Sequence, residues 1–316
     1  MAVLPQRSLG TSGIRVSVFA LGSWRTYERI SREAGVALLD QARDSGFNLL
    51  EVARYNDESG KAPIPTGYSE VVFGEVFRRS GWPRHEVTIG SKLWWEFWPE
   101  QTARQELESG LERTGLDHFD YVYSDPPPES LPLEKVVSAI GELISSGELR
   151  GWGVANWPAE QIGDACEIAR DQGVPPPCAV QLPYSLASRR WVESAEMTQA
   201  LRSCGASVVA SYTLTGGILS GKYADGEGGR MAGELENPRF EGAVAIVDRL
   251  RRLARQLDTT PATLAMAFAL SNPNVATVLF GATSPEQLLE NVRAAEVAEA
   301  LDEDQLARLQ AIDGGG

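Results

Sequence analysis

Four residues with acid–base side chains follow short apolar runs that read as β-strands. Glu51 is the last residue of one run, Lys92 and Asp125 directly follow two others, and Tyr55 lies four residues after Glu51. A lone tyrosine or lysine in such a place is usually packed or solvated. In barrels of alternating strands and helices, however, catalytic groups gather where the strands end. The four side chains are therefore candidates for proton transfer.

Eight short apolar runs predict the strands that would carry these residues. They are Val18–Leu21, Asn48–Glu51, Val87–Ser91, Phe119–Ser124, Gly151–Ala155, Cys178–Leu182, Ser207–Ser211 and Ala276–Phe280. Longer amphipathic segments separate most of them, which is the pattern of repeated right-handed βαβ units. Eight such units close into a (β/α)8 TIM barrel, predicted here as one domain over residues 1–316.

The segments between the runs repeat apolar residues with helical periodicity. Examples are Ser31–Ser45, Pro99–Arg113, Leu133–Ser146, Pro158–Asp171, Val192–Cys204 and Ser284–Ala294. Ser31 is a predicted N-cap. Ser284 is a stronger one, with Pro285 at the first helical position and Gln287 where a capping box places it. A doubly wound sheet is the main alternative, but no dinucleotide-binding glycine fingerprint follows the first strand.

Two stretches rich in glycine, proline and charge interrupt the alternation, at Asn56–Gly67 and Tyr223–Phe240. Both are predicted as loops at the catalytic mouth, with plain surface insertions as the alternative. Trp24, Trp94 and Trp157 also come after predicted strands. As a group they are expected to line a pocket for an apolar or ring-shaped substrate.

Composition narrows the function classes. The net charge of −14 disfavours nucleic acid and anionic membranes as partners. The start of the chain lacks the apolar region of a secretory signal, and no apolar run reaches ~18 residues, so a cytoplasmic location is expected. With two histidines in the chain, a histidine-based metal site is not expected. Cys166, Cys178 and Cys204 read as buried or free thiols in a reducing compartment.

Several segments, in order along nearly the whole chain, resemble the aldo-keto reductase family. RSLGTSGIRVSVFALGSW resembles the family's N-terminal hairpin and first strand, and GFNLLEVARYND resembles its GxxxxDTAxxYG segment. GYSEVVFGEVF resembles GxSExxLGxAL, VTIGSK the lysine strand, and the segment ending in GWGVANW the one ending in GxSNF. AVQLPYS, GGILSGKY and FGATSPEQLLEN resemble later cofactor-binding segments. The resemblance implies a barrel with an N-terminal β-hairpin that uses a nicotinamide dinucleotide.

The resemblance carries the family's catalytic aspartate, tyrosine, lysine and histidine to Glu51, Tyr55, Lys92 and Asp125. In the family the tyrosine donates a proton to the carbonyl oxygen, the lysine and aspartate lower its pKa, and the histidine orients the substrate. Tyr55 follows the acid by four residues rather than five, which implies a one-residue deletion. If this segment is aligned with the family's motif without a gap, Asn56 takes the place of the tyrosine.

Asp125 departs most from the family, although its separation of 33 residues from Lys92 (125 − 92) supports the alignment. An ionised carboxylate there opposes tyrosinate, whereas a protonated one donates a hydrogen bond. Some relatives with an acidic residue at this position reduce the carbon–carbon double bonds of enones. The resemblance therefore allows ene reduction.

The resemblance also implies the nicotinamide contacts. Asn156 and Gln181 match residues that hydrogen-bond the carboxamide, while Ala155 replaces a serine that commonly does so. Ser23 and Trp24, after the first strand, are further expected cofactor contacts.

A stacking aromatic ring is expected before GGILSGKY. An alignment with the family without a gap puts Ser211 in that place, whereas a local shift of the alignment puts Tyr212 there. Leu214, Gly216 and Lys222 match cofactor-contacting positions, with Lys222 near the pyrophosphate.

The segment FGATSPEQLLEN implies the adenosine end of the cofactor site. Its expected contacts are Gly281, Thr283, Gln287, Glu290 and Asn291. A strand, a glycine turn and a helix N-terminus offer backbone N–H groups to a phosphate, whereas the alternative is an ordinary capped helix. The segment lacks the lysine and arginine that many relatives place around the 2′-phosphate. Relatives with the uncharged version still use NADPH, so NADP(H) is the expected cofactor.

The resemblance thus implies an NADPH-dependent oxidoreductase that reduces a carbonyl or a conjugated double bond of a small organic substrate. Two alternatives stay open. One is a cofactor-binding regulatory subunit of low turnover, like the potassium-channel β subunits of this superfamily. The other is a non-redox lyase or epimerase on the same fold. The oligomeric state is open as well.

Overall fold

The computed structural model describes residues 4–57, 60–225, 233 and 235–313. Its strands are β1 Gln6–Ser8, β2 Arg15–Ser17, β3 Phe19–Gly22, β4 Leu49–Glu51, β5 Thr88–Leu93, β6 Tyr121–Ser124, β7 Gly151–Ala155, β8 Ala179–Pro183, β9 Ser207–Ser211 and β10 Val275–Phe280. β1 and β2 form an antiparallel hairpin, and the others form a closed parallel barrel in the order β10-β3-β4-β5-β6-β7-β8-β9. The predicted (β/α)8 barrel with an N-terminal hairpin is confirmed.

Helices surround the barrel and connect its strands. They are α1 Arg32–Asp44, α2 Tyr68–Ser80, α3 Ala103–Thr114, α4 Leu133–Ser145, α5 Ala159–Asp171, α6 Arg190–Glu193, α7 Ala195–Cys204, α8 Glu241–Gln256, α9 Pro261–Ser271, α10 Pro285–Ala300 and α11 Glu303–Gln310. Each helix and strand predicted from periodicity overlaps an observed one. Over the described ranges, none of the helices has the length and apolar character needed to span a bilayer.

Serine caps form at both predicted helix starts, one of them in an altered form. The Ser31 hydroxyl oxygen accepts from the N–H of Ala34, at 3.1 Å, and that of Ser284 accepts from the N–H of Gln287, at 3.3 Å. The Gln287 amide oxygen does not return to Ser284. It accepts from both the N–H and the hydroxyl of Thr283, each at 3.0 Å. Because Thr283 offers two donors to one oxygen, this clamp replaces the predicted capping box.

The hairpin closes the amino-terminal end of the barrel. Leu9, Ile14 and Val16 are buried in one apolar cluster with the inward-facing Tyr121 and Tyr123 of β6. The hydroxyl oxygens of these two tyrosines lie 2.8 Å apart, so each phenol is satisfied within the barrel. With this end filled, polar groups that act on a ligand must lie at the carboxyl ends of the strands.

The cysteines depart from the sequence-based expectation. Cys166 on α5 and Cys204 on α7 form a disulfide with their Cα atoms 5.6 Å apart, whereas Cys178 is free and buried. The expectation of thiols therefore holds for Cys178 alone. The two helices pack side by side, which brings together residues 38 positions apart, and sequence spacing gives no sign of that contact.

Both predicted mouth loops leave the carboxyl ends of strands. The loop Asn56–Gly67 connects the end of β4 to α2, and Asn56 bridges to Thr66 across it, although residues 58 and 59 are outside the described part of the chain. The segment Tyr223–Phe240 lies between β9 and α8, although its residues 226–232 and 234 are outside the described part of the chain. Both segments therefore lie toward the end of the barrel where the strands end, and their part in the site stays a prediction.

Glu70, near the start of α2, is a buried carboxylate that ties α2 to α3. It is 1% exposed, and its Oε2 accepts from Arg113 Nε at 2.5 Å. Gly110 makes room for it, because a Cβ at that position would lie 3.1 Å from Glu70 Oε1. Burial raises the pKa of Glu70 to about 7, against the opposing charges of Arg113 and Arg54.

Glu70 should make the protein less stable as the pH rises through the range between its unfolded pKa of about 4.5 and its folded pKa of about 7. In that range the folded chain binds more protons than the unfolded chain, so the free energy of unfolding falls with rising pH. The full effect is on the order of 3 kcal/mol. We predict that Glu70→Gln flattens this part of the pH profile, measured by urea unfolding.

Glu75→Gln is the matched control, since Glu75 lies on the same helix with its side chain 41% exposed. It should keep the wild-type slope. Equal slopes for wild type and Glu70→Gln would contradict the prediction.

Candidate active site

Glu51, Tyr55 and Lys92 meet in one hydrogen-bonded cluster at the carboxyl end of the barrel. The Tyr55 hydroxyl donates to Glu51 Oε1 at 2.6 Å and accepts from Lys92 Nζ at 3.1 Å. Lys92 Nζ lies 3.4 Å from the same carboxylate oxygen. The side chains of Glu51 and Lys92 are only 2% and 7% exposed. Each buried charge therefore has an opposite charge and a hydroxyl as partners.

Backbone contacts explain why Tyr55, and not Asn56, occupies this position. The Val52 N–H donates to Gly90 O on β5, and the Gly67 N–H donates to Tyr55 O, each at 2.9 Å. These bonds hold the short loop after β4 against the barrel mouth. Asn56 is exposed. The extra methylene of Glu51 lets the carboxylate reach a tyrosine that arrives one residue early.

The pKa of Tyr55 moves opposite to the sequence-based expectation. Burial is the largest cause that raises it well above its ordinary value of about 10, followed by the charge of Glu51 and the hydrogen bond to Glu51. The charges of Asp125 and Glu70 act in the same direction. The family's lysine and acid are expected to lower this pKa, whereas here burial and the contact with Glu51 raise it. Near neutral pH Tyr55 keeps its proton, and Glu51 holds that proton in a hydrogen bond.

Asp125 joins the site from the end of β6. Its backbone N–H donates to Leu93 O at 2.9 Å, and its carboxylate accepts a hydrogen bond from the side chain of Asn156. Burial raises the pKa of Asp125, while Lys92 and the hydrogen bond from Asn156 lower it. Within the described ranges Asp125 forms no direct ion pair, so its charge is offset only through the Asn156 amide and the field of Lys92.

Aromatic rings form the walls around the Tyr55 ring. The Trp24 ring centroid lies 6.3 Å from that of Tyr55, and the Trp94 ring packs edge-to-face at 5.7 Å. Trp24 is 38% exposed, so one wall opens to solvent. Trp157 is fully buried in the main apolar core. Because no part of its side chain is exposed, Trp157 does not line an open pocket as expected.

Polar atoms suited to a carboxamide lie on or directly after three other strands of the barrel, β3, β7 and β8. Gln181 is 7% exposed, and its Oε1 has no hydrogen-bond partner among the described residues. The neighbouring Asn156 is exposed, and its backbone N–H donates to Gln181 O at 2.9 Å. Ser23 is buried, its Oγ has no partner within the described ranges, and its N–H donates to Glu51 O at 2.9 Å. A buried, unpaired amide oxygen is costly unless a ligand completes it, so these residues fit a nicotinamide carboxamide.

The segment after β9 carries the next group of expected cofactor contacts. Tyr212 has a positive φ of 56°, an uncommon conformation for a bulky residue, and it turns the chain directly after the strand. Leu214 precedes the short helical turn Thr215–Ser220, in which Gly216 has φ 68°. Lys222 follows, with its Nζ 5.1 Å from the centroid of the neighbouring tyrosine ring.

The expected adenosine contacts lie at the end of β10 and the start of α10. Gly281 has no room for a side chain, because a Cβ at this position would lie 2.7 Å from Thr26 Oγ1. Thr283 and Gln287 are exposed and joined to each other, Glu290 is exposed, and Asn291 is 9% exposed. These residues surround an exposed helix N-terminus, which suits an anionic group.

The comparisons agree with this geometry. The family model described as "Aldo/keto reductase family" matches residues 19–314. The chain belongs to the aldo/keto reductase family. A "Putative voltage-gated potassium channel subunit beta" of Schizosaccharomyces pombe is 34% identical to it, over 98% of this chain and 93% of its own length. A "Probable voltage-gated potassium channel subunit beta" of Oryza sativa subsp. japonica is 31% identical, over 97% of this chain and 95% of its own.

A buried glutamate on α3 holds the mouth of this aldo/keto reductase, and sequence analysis missed it. Glu106 is 8% exposed and accepts the backbone N–H groups of Trp94, at 2.9 Å, and Trp95, at 3.2 Å. Ala103 and Gly110 lie on the same buried helix face. A glutamate at that spacing within an apolar stripe was the available signal. Glu106 thereby fixes the loop that places the Trp94 ring against Tyr55.

A buried arginine was missed as well. Arg54 is 8% exposed and lies directly before Tyr55. Its NH2 donates to Glu96 Oε2 at 2.5 Å, and its NH1 donates to Thr66 Oγ1 at 2.8 Å. The guanidinium carbon lies 5.1 Å from the Phe97 ring centroid. Arg54 therefore joins the loop that carries Tyr55 to the loop after β5.

We predict that Glu106→Ala destabilises the protein by about 3 kcal/mol, because two backbone donors lose a charged acceptor. Urea unfolding measures the loss. Glu108→Ala is the matched control, since Glu108 is exposed on the same helix. It should change stability by less than about 0.5 kcal/mol. Similar losses in the two variants would contradict the role given to Glu106.

Proposed function

We propose that this aldo/keto reductase is an NADPH-dependent oxidoreductase that reduces a carbonyl or a conjugated double bond of a small organic substrate. The observation that carries the proposal is the contact of Tyr55 with Glu51 and Lys92 at the carboxyl end of the barrel. A second supporting observation is the buried amide oxygen of Gln181 on β8, which has no hydrogen-bond partner among the described residues. The proposed setting is the cytoplasm.

The cofactor, when bound, supplies hydride. Gln181 and Asn156 bind its carboxamide, and the buried Ser23 hydroxyl after β3 is a further candidate contact. Tyr55 contacts the acceptor group of the substrate, and Lys92 and Glu51 fix the position of its hydroxyl. Trp24 and Trp94 pack around the Tyr55 ring and border the place where the substrate binds.

The choice of NADPH rests on the segment between β10 and α10. Thr283 and Gln287 form a rigid, exposed clamp at the N-terminus of α10. The dipole of that terminus attracts a phosphate. Lys222, after β9, supplies a positive charge for the pyrophosphate.

A second candidate function is a cofactor-binding subunit of low turnover. Two observations favour it. The relatives described above are named as potassium channel β subunits. In addition, the Tyr55 hydroxyl, which the family's chemistry uses as the proton donor, already donates to Glu51 Oε1.

Fluorescence titration tests the cofactor assignment. NADPH should bind at least about 10-fold more tightly than NADH, equivalent to about 1.4 kcal/mol. Gln181→Leu should weaken NADPH binding by about 10-fold, because one buried hydrogen bond is lost. Gln199→Leu, an exposed change on α7, should leave the affinity unchanged. Equal or tighter binding of NADH would contradict the proposed cofactor.

Steady-state oxidation of NADPH separates the two candidate functions. The panel consists of aldehydes, quinones and enones, each compared with a reaction that lacks protein. Turnover of any member supports the oxidoreductase. Tight NADPH binding without turnover of any member would favour the cofactor-binding subunit.

A further inference from the structure

Three neighbouring strands bring polar side chains to one side of the barrel mouth. β6 pairs in parallel with β7, and β7 pairs in parallel with β8, where Ala155 lies opposite Gln181. Asp125 directly follows β6, Asn156 directly follows β7, and Gln181 lies within β8. The three residues therefore occupy adjacent strands at the same end of the barrel.

Asn156 is held from the strands on both sides. Its backbone N–H donates to Gln181 O at 2.9 Å, which ties it to β8. Its side-chain amide donates to the Asp125 carboxylate, and Asp125 is itself tied to β5 because its N–H donates to Leu93 O at 2.9 Å. The backbone of Asn156 turns out of the strand with φ 61°, a conformation in which asparagine is enriched. These contacts define where the Asn156 amide lies.

The contact with Asp125 also decides which end of that amide faces which way. The amide nitrogen of asparagine carries two N–H donors, whereas the amide oxygen accepts. An ionised carboxylate only accepts hydrogen bonds, so Asp125 binds the nitrogen and excludes the flipped orientation. The nitrogen keeps a second N–H for a ligand, in a direction that the bond to Asp125 sets.

A nicotinamide carboxamide needs one donor and one acceptor, because its oxygen accepts and its nitrogen donates. The acceptor is Gln181 Oε1, which is buried and has no hydrogen-bond partner among the described residues. Ala155, the buried last residue of β7, has no polar side-chain atom to serve as the donor. At the end of β7 the side-chain donor is therefore the second N–H of Asn156.

We propose that Asp125 is a positioning residue for the cofactor, because it holds the Asn156 amide in the orientation that donates to the oxygen of the nicotinamide carboxamide. This proposal rests on the proposed function, in which a nicotinamide cofactor binds at this end of the barrel. Asp125 then acts through Asn156 rather than on the substrate. By fixing the carboxamide, Asn156 and Gln181 hold the nicotinamide ring in one rotation.

Fluorescence titration with NADPH tests the proposal without turnover. The reduced nicotinamide ring is neutral, so the charge of Asp125 does not attract the ring itself. Leucine has nearly the shape of aspartate but accepts no hydrogen bond, so Asp125→Leu should weaken NADPH binding by about 10-fold. Asparagine keeps an accepting oxygen, so Asp125→Asn should stay within about 3-fold of the wild type. Equal NADPH affinities of the wild type and Asp125→Leu would overturn the proposal.

Glu129→Leu is the matched control, because Glu129 is an exposed carboxylate in the same loop. It should bind NADPH as the wild type does. An equal loss of affinity in Glu129→Leu and Asp125→Leu would contradict a specific role of Asp125.

A double-mutant cycle tests whether Asp125 acts through Asn156. Asn156→Gly removes the amide and suits the positive φ, and it should weaken NADPH binding by about 10-fold. Adding Asp125→Leu to Asn156→Gly should weaken binding by less than about 2-fold further, because the amide to be positioned is already gone. A further loss of about 10-fold in the double variant would show independent effects and would overturn the proposal.

The ligand 2′-phospho-ADP-ribose separates positioning of the carboxamide from a general loss of structure. It has the phosphates and the adenosine of NADPH but lacks the nicotinamide. Isothermal titration calorimetry should give the same affinity for this ligand in the wild type, Asp125→Leu and Asn156→Gly. If Asp125→Leu weakens the binding of both ligands equally, its role is structural and the proposal fails.

The positioning role and the proposed function fail in different ways. If the wild type binds NADPH and Asp125→Leu binds it equally well, the positioning role fails and the use of the cofactor stands. If the wild type binds neither NADPH nor NADH, the proposed oxidoreductase and the positioning role both fail.

Discussion

The site depends on one buried contact, the hydrogen bond from the Tyr55 hydroxyl to Glu51. Glu51 and Lys92 are almost fully buried, and burying either charge without the other would destabilise the folded protein. Tyr55 is a hydrogen-bond partner of both, because its hydroxyl donates to Glu51 and accepts from Lys92. The three side chains must therefore be positioned together, and the strand and loop geometry around them serves that requirement.

Adjacent strands make the contact possible. β4 and β5 are parallel neighbours, with Glu51 paired in register to Gly90, two residues before Lys92. Glu51 and Lys92 thus come from neighbouring strands at the same end of the barrel. Charged groups outside the cluster then fix the loops: Glu106 holds the chain after β5, and Arg54 links it to the loop that carries Tyr55. The mouth is built from buried polar contacts on an apolar barrel.

The strands and their order could be predicted from the sequence. A short apolar run between amphipathic segments is typical of a buried parallel strand. The sequence also led to Tyr55 and Lys92, although the one-residue deletion left Asn56 as a rival. That ambiguity needed backbone hydrogen bonds, which set the register of the loop and have no signature in residue types. The Cys166–Cys204 pair is a similar case, because it follows from which helices are neighbours.

The direction of the Tyr55 pKa could not be predicted from residue types alone. Lysine nearby lowers it, while burial and a carboxylate in direct contact raise it, and the balance depends on distances. NMR of protein with ring-labelled tyrosine measures this balance directly, with assignment by Tyr55→Phe. The account predicts that Tyr55 does not titrate below about pH 10, and that Glu51→Gln lowers its pKa. A wild-type Tyr55 that titrates below its ordinary value, with no decrease in Glu51→Gln, would contradict the account.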